Sequence, residues 1–149
     1  MFKNAIDLFD IFGFKIRADP SWLLIAALIV WSLSTSYFPF VLEGYSQSAY
    51  ISMSIIAMLG LFASLIFHEL SHSLVARRFD LKVGGITLFL FGGVAELEQE
   101  PRDPKSEFWI AIAGPLSSYF LAVVAYTFVA MLGQDQASTP LYAVLSYLG

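Results

Sequence analysis

Two histidines four residues apart, with a glutamate directly after the first, close a long uncharged stretch of this sequence. His68-Glu69-Leu70-Ser71-His72 follows residues 51–67 (ISMSIIAMLGLFASLIF) and precedes the basic pair Arg77-Arg78. On a helix, residues four apart share a face, so the imidazoles of His68 and His72 can close on a single metal ion. Glu69 stands beside them, where a carboxylate can take a proton from an attacking water. In a soluble protein this five-residue pattern would be weak, a chance match on a solvated helix end. Here the surrounding apolar run changes the weighting, because ionisable groups at membrane depth are costly and mark function.

The elements that must position these residues follow from composition. The chain has 149 residues, 58% hydrophobic and 13% charged, with a mean hydropathy of +0.72. Such a chain is too apolar for an ordinary soluble domain and points to a membrane protein. It has no cysteine, which excludes disulfides and thiolate ligands and leaves imidazole and carboxylate to hold a metal. No basic patch with interleaved aromatics suggests nucleic-acid binding. Lys3, Asp7, Asp10, Lys15, Arg17 and Asp19 interrupt the first twenty residues, so no cleavable signal peptide is expected.

The patterning predicts a mainly α membrane protein with three transmembrane helices, the start of a fourth, and a small membrane-associated β element. Residues 4–12 read as a short amphipathic helix, and residues 14–18 (FKIRA) as a half-buried strand. Asp19-Pro20-Ser21 reads as a stop followed by a helix cap. Spanning helices are expected over residues 22–38, 49–76 and 108–132, and residues 140–149 read as the first turns of another. Residues 83–94 (VGGITLFLFGGV) are apolar on both faces and too short to span as a helix. They are expected to form a re-entrant β element beside the metal site, since irregular backbone at membrane depth needs protein or a wet cavity around it. Glu96, Glu98 and Glu100 fall on one face of a returning strand and read as an acidic, solvated stripe. All eight basic residues lie in the N-terminal segment or between residues 77 and 107. This puts the N-terminus and the β segment on the cytoplasmic side of a plasma membrane. His68 then lies about 13 Å along the helix from Arg77, in the cytoplasmic half of the bilayer, with the site opening to that side.

An HELSH on a transmembrane helix, a strand ending in Phe91-Gly92-Gly93-Val94-Ala95, then Glu100-Pro101, and Ala113-Gly114-Pro115-Leu116 opening the next helix together resemble the site-2 protease family of intramembrane zinc metalloproteases. The resemblance covers nearly the whole chain. It is closest to the branch with one extra leading helix, some members of which carry cytoplasmic CBS domains. The resemblance implies that His68 and His72 are Zn2+ ligands and that Glu69 is the catalytic base. It places the family's Gly-Gly strand motif on Gly92 and Gly93, as substrate-binding residues or as a tight turn, and its third-helix Gly-Pro on Gly114-Pro115. The family's third zinc ligand is an aspartate on a later helix. Asp135, the only acidic residue after Glu107, is expected on the opposite side of the membrane from His68. The chain therefore reads as a single membrane domain, residues 1–149, truncated within its fourth helix and inactive alone. Its parent would cleave transmembrane segments of membrane-protein substrates within the lipid bilayer, in regulated intramembrane proteolysis. The alternatives are a metal transporter, for which the first and third helices offer only Ser, Thr and Tyr along a path, and a non-catalytic fragment.

Overall fold

The polypeptide begins with a hairpin where the sequence suggested a short helix over residues 4–12. In the computed structural model, which describes residues 5–97 and 103–149, strand β1 (Ile6–Ile11) pairs antiparallel with β2 (Phe14–Ala18). Phe12 and Gly13 join them with φ of 50° and 84°, the positive pair that a tight two-residue hairpin turn requires. The register shifts between Asp7 and Phe9, so Leu8 is an extra residue bulged out of the ladder. The bulge lets Asp7 and Asp10, three apart, both lie across from the basic partners Arg17 and Lys15. It also erases the two-residue period, which is why the segment reads as helical. Lys3, Glu98, Glu100, Pro101 and Arg102 lie outside the described residues.

The chain divides into two compact units, Met1–Leu24 with Ser64–Ser118, and Ile25–Ala63 with Tyr119–Gly149. The first holds a four-stranded sheet in the order β1-β2-β3-β4, with β3 (Val83–Phe89) parallel to β2 and antiparallel to β4 (Gly92–Leu97). The β element is thus larger than expected, because β2 pairs with the later strands. One face carries Phe14, Ile16, Ile86 and Ala95, packed on Leu70, Ile66 and Leu74 of helix α3 (Gln47–Arg78). Ile86, Thr87 and Leu88 are buried in succession, so β3 is covered on both faces as expected, and the other face of the sheet carries polar groups. There Arg17 bonds both Asp7 and Glu96, and the buried Thr87 donates to Glu96. Glu96 is thus tied to the sheet by Arg17 and Thr87 while its side chain remains 40% exposed. Helix α3 closes with Asp80 in the left-handed region and bonds from Asp80 N to Arg77 O and Leu81 N to Ala76 O, the Schellman pattern. Arg77 reaches back to the Phe12 carbonyl and stacks over the Phe14 ring.

Helix α1 (Ser21–Ser32), a π segment (Leu33–Tyr37) and α2 (Phe38–Val41) form one continuous apolar span. Ser34 and Thr35 hydroxyls both bond the Trp31 carbonyl at the π segment, just ahead of Pro39. Asp19, not Ser21, caps α1: its carboxylate accepts from the Ser21 amide, which holds that carboxyl below its ordinary pKa. The Ser21 hydroxyl accepts instead from the Leu90 amide in the β3–β4 turn. Helix α4 (Pro104–Leu132) starts earlier than expected. Pro104 occupies its first turn and Asp103 accepts from the Lys105 and Ser106 amides. In the second unit, helix α5 (Pro140–Leu148), capped by Thr139, adds Ala143 and Val144 to a core of Leu33, Phe38, Leu42, Tyr50, Met53 and Ala57. Gly60 lets Leu148 approach so closely that a Cβ there would lie 2.7 Å from it. Three spans, Ser21–Val41, Gln47–Arg78 and Pro104–Leu132, are long and apolar enough to cross a membrane, with α5 as the expected short fourth element.

Candidate metal centre

All of the centre lies in the first unit. His68 and His72 stand one turn apart on α3, and their Nε2 atoms converge to 3.0 Å. Two ligands of a tetrahedral zinc at about 2.0–2.1 Å would lie about 3.3 Å apart, so the pair fits two corners of such a site. The far nitrogens are held from α4. His72 Nδ1 bonds the Ile110 carbonyl oxygen, and His68 Nδ1 bonds Ser118 Oγ at 2.8 Å. Anchoring the outer nitrogen of a ligating histidine is the usual way a protein fixes ring orientation.

Ile110, Gly114 and Ser118 recur every four residues on α4 and so form one face. Gly114 is the critical member. A Cβ there would lie 2.1 Å from His72 Nε2 and 2.5 Å from His68 Nε2, on the point where the two nitrogens converge. Only glycine leaves that point free. The sequence placed Gly114-Pro115 at the opening of the helix. The earlier start at Pro104 puts them well inside it, with Pro115 accommodated in an unbroken helix. Ile110, Gly114 and Ser118 were not predicted as site residues, and their four-residue spacing around Gly-Pro was the available signal.

Glu69 is half-buried on the same turn, turned toward the sheet. A Cβ on Gly93 would lie 2.7 Å from Glu69 Cγ and 3.4 Å from Oε1, so the β4 backbone rests on this side chain. Of the two glycines singled out by sequence, Gly93 therefore joins Glu69. Gly92, with φ of 131° and no atom near its Cβ position, ends the turn at Leu90-Phe91. Among the described residues no group of three or more His, Cys, Asp or Glu side chains could hold a metal. The candidate ligands brought together here are His68 and His72.

The profile of Peptidase family M50 matches residues 56–148, which include the histidine pair, β3–β4 and α4. The Rip3 protein of Mycobacterium tuberculosis is 42% identical over 120 residues, covering 80% of this chain and 30% of Rip3. Zinc metalloprotease MJ0392 of Methanocaldococcus jannaschii is 32% identical over 120 residues, covering 80% of this chain and 31% of MJ0392. The structure of a site-2 protease from Methanocaldococcus jannaschii superposes with a TM-score of 0.58 and 26% identity, over 97% of this chain and 62% of that one. The chain thus spans about a third of the length of the curated relatives it matches. With three apolar spans carrying this site, it is an integral membrane protein. On the match to the family profile and on these relatives, the chain belongs to Peptidase family M50, the family of the site-2 proteases.

Proposed function

We propose that residues 1–149 form one membrane domain of a zinc endopeptidase that cleaves transmembrane segments of other membrane proteins. The observation that carries this reading is the convergence of His68 Nε2 and His72 Nε2, next to Glu69, at the end of an uncharged run on a membrane-spanning helix. His68 and His72 would hold the zinc, with a third ligand, an aspartate by family resemblance, that is not among the described residues. Zinc, when bound, supplies Lewis-acid polarisation of the scissile carbonyl. Glu69 takes the proton of the attacking water and returns it to the leaving amine.

A helical substrate must unwind to present its peptide bond. The sheet supports a place for the unwound segment at its outer edge, since β3 is paired on both sides. β4 is the outer strand, and an extended substrate adding to it would run past Gly92 and Gly93 beside the base. The distribution of Lys and Arg supports a plasma-membrane protein with its N-terminus and site opening on the cytoplasmic side. Single cysteines at Ser46 and Ser138 are then expected to label from outside intact cells. A cysteine at Lys105 is not, and outside labelling there would reverse the orientation.

The test of the reaction is Glu69→Gln in the full-length protein, assayed on a membrane-embedded substrate in liposomes. The variant is expected to keep zinc and to lose cleavage by about 10²–10⁴-fold, the usual scale for a general base. Cleavage at the wild-type rate would remove Glu69 as the base and the protease reading with it.

A further inference from the structure

The apolar face of the sheet extends further than the helix that covers it. In the β1–β2 ladder Ile11 lies across from Phe14, Phe9 from Ile16 and Ile6 from Ala18. Partners across an antiparallel pair stand on the same side of the sheet, so Ile6, Phe9 and Ile11 share the side of Phe14 and Ile16. Ile66, Leu70 and Leu74 of α3 cover the β2 members of this row, and Ile11 still touches that core. Beyond it the row is bare. Ile16 is 0% exposed, whereas its partner Phe9 is 50% exposed and Ile6 63%. The bulged Leu8 and the turn residue Phe12 are exposed as well. The opposite side of the same hairpin holds Asp10, Lys15, Arg17 and Asp7, the last bridged to both basic side chains. One side of the hairpin is therefore apolar and uncovered, and the other is charged.

Helix α3 fixes the level of this overhang in the membrane. Ile66, Leu70 and Leu74 belong to the last turns of the span Gln47–Arg78. At the turn, Arg77 Nη1 donates to the Phe12 carbonyl oxygen at 2.8 Å, where the exposed Arg77 and Arg78 close the span. Arginines at the end of a span reach for the headgroups, so the Phe12 turn is held at that level. An apolar row of this kind left in water is a patch seeking a partner. The carboxylates and the ammonium behind it are costly in hydrocarbon. Only the boundary between acyl chains and headgroups meets both demands, and the row reaches it without a break from the helix face it already packs on. We propose that the β1–β2 hairpin is seated in the bilayer surface at the Arg77 end of α3, with Ile6, Phe9 and Phe12 against lipid and Asp7, Asp10 and Lys15 in water. Because β2 pairs with β3, this seat also sets the level at which the whole sheet rides beside α3. The seat follows from α3 as a membrane span and is indifferent to the chemistry at His68 and His72.

The experiment uses the full-length protein, freed of other cysteines, in phosphatidylcholine–phosphatidylglycerol liposomes. Phe9→Cys, Phe12→Cys and Asp10→Cys, made one at a time, each carry a nitroxide label. All three positions are exposed, and the line shape of an ordered strand at Asp10 shows the hairpin intact. Collisions are measured with oxygen, which concentrates in lipid, and with a water-soluble nickel complex. The ratio of oxygen to nickel collisions is expected to be several-fold higher at Phe9 and Phe12 than at Asp10. Labels at Phe9 and Phe12 as open to nickel as the one at Asp10 would put the row in water and overturn the seat. Labels there shielded from both reagents would put protein over the row, a second copy or another part of the chain, and overturn it equally. An Asp10 label closed to nickel would submerge the whole hairpin and rule out the boundary.

Discussion

Helix and sheet grip opposite sides of the same turn of α3, and they grip different chemistry. From α4, Ile110 and Ser118 bond the outer nitrogens of the histidines and Gly114 leaves room at the inner ones. From the sheet, Gly93 meets Glu69. The helix side acts on the ligands, through donors and acceptors of fixed geometry. The sheet side acts on the base, through backbone pressed against a flexible side chain. On the proposed reading, metal affinity and proton transfer answer to separate neighbours, and substitutions on each side should separate them.

The largest effect is expected on the helix side. Gly114→Ala sets a methyl group on the point where the two Nε2 atoms converge, with no flexible neighbour to yield. Zinc affinity in the full-length protein should fall by more than about 100-fold, beyond the range of outer-shell changes, and cleavage should fall with it. On the sheet side, the methyl of Gly93→Ala meets only the movable Cγ of Glu69. Zinc affinity should stay at its wild-type value while cleavage drops about 10–100-fold, the scale for a misplaced catalytic group. If Gly93→Ala loses zinc as Gly114→Ala does, the two sides are not separable. A smaller effect is expected one layer further out. Thr87→Val removes the hydroxyl that donates to Glu96 and should cost about 1 kcal/mol in chemical denaturation, with zinc affinity unchanged. The smallest concerns the start of α4. The Ser106 and Lys105 amides hold the Asp103 carboxyl below its ordinary pKa. The stability it confers is complete above about pH 3.9 and disappears as the pH falls through the lowered folded-state value. The stability difference between wild type and Asp103→Ala should therefore be constant at neutral pH and shrink in acid. A difference that persists in strong acid would show that the carboxylate is not the cap.

The convergence of His68 and His72 was legible because it is local: a spacing of four on a helix needs no knowledge of the fold. The three spans were legible from apolar length alone, and α5 begins at Pro140 as its pattern suggested. The α4 half of the site was not, because Ile110, Gly114 and Ser118 acquire their roles only when another helix arrives at His68 and His72. Its register was obscured further by Asp103, Lys105 and Glu107. They read as loop charges, whereas Asp103 caps the helix and the other two occupy its first turn. The hairpin was hidden by one bulged residue, Leu8, which turned a strand's alternation into something closer to a helix's. Thr87 looked like a minor interruption of an apolar strand, but its cross-strand partner is Arg17, seventy positions away in sequence.

That parallel pairing also sets a timetable. β2 leaves the ribosome before the residues of two membrane spans, and β3 follows only after them. At about 5–20 residues per second this is a delay of several seconds. Throughout it Phe14 and Ile16, fully covered in the finished molecule, have no sheet partner other than β1. Loop closure over such a separation is intrinsically slow. The Asp19 amide bonds the Leu88 carbonyl, and so the end of β2 stays unfinished until the second span is inserted and β3 arrives. Assembly of the candidate metal centre is therefore ordered by synthesis itself: a nascent chain carries its histidines into the bilayer before the strand that meets Glu69 exists, and before the helix that bonds the imidazoles.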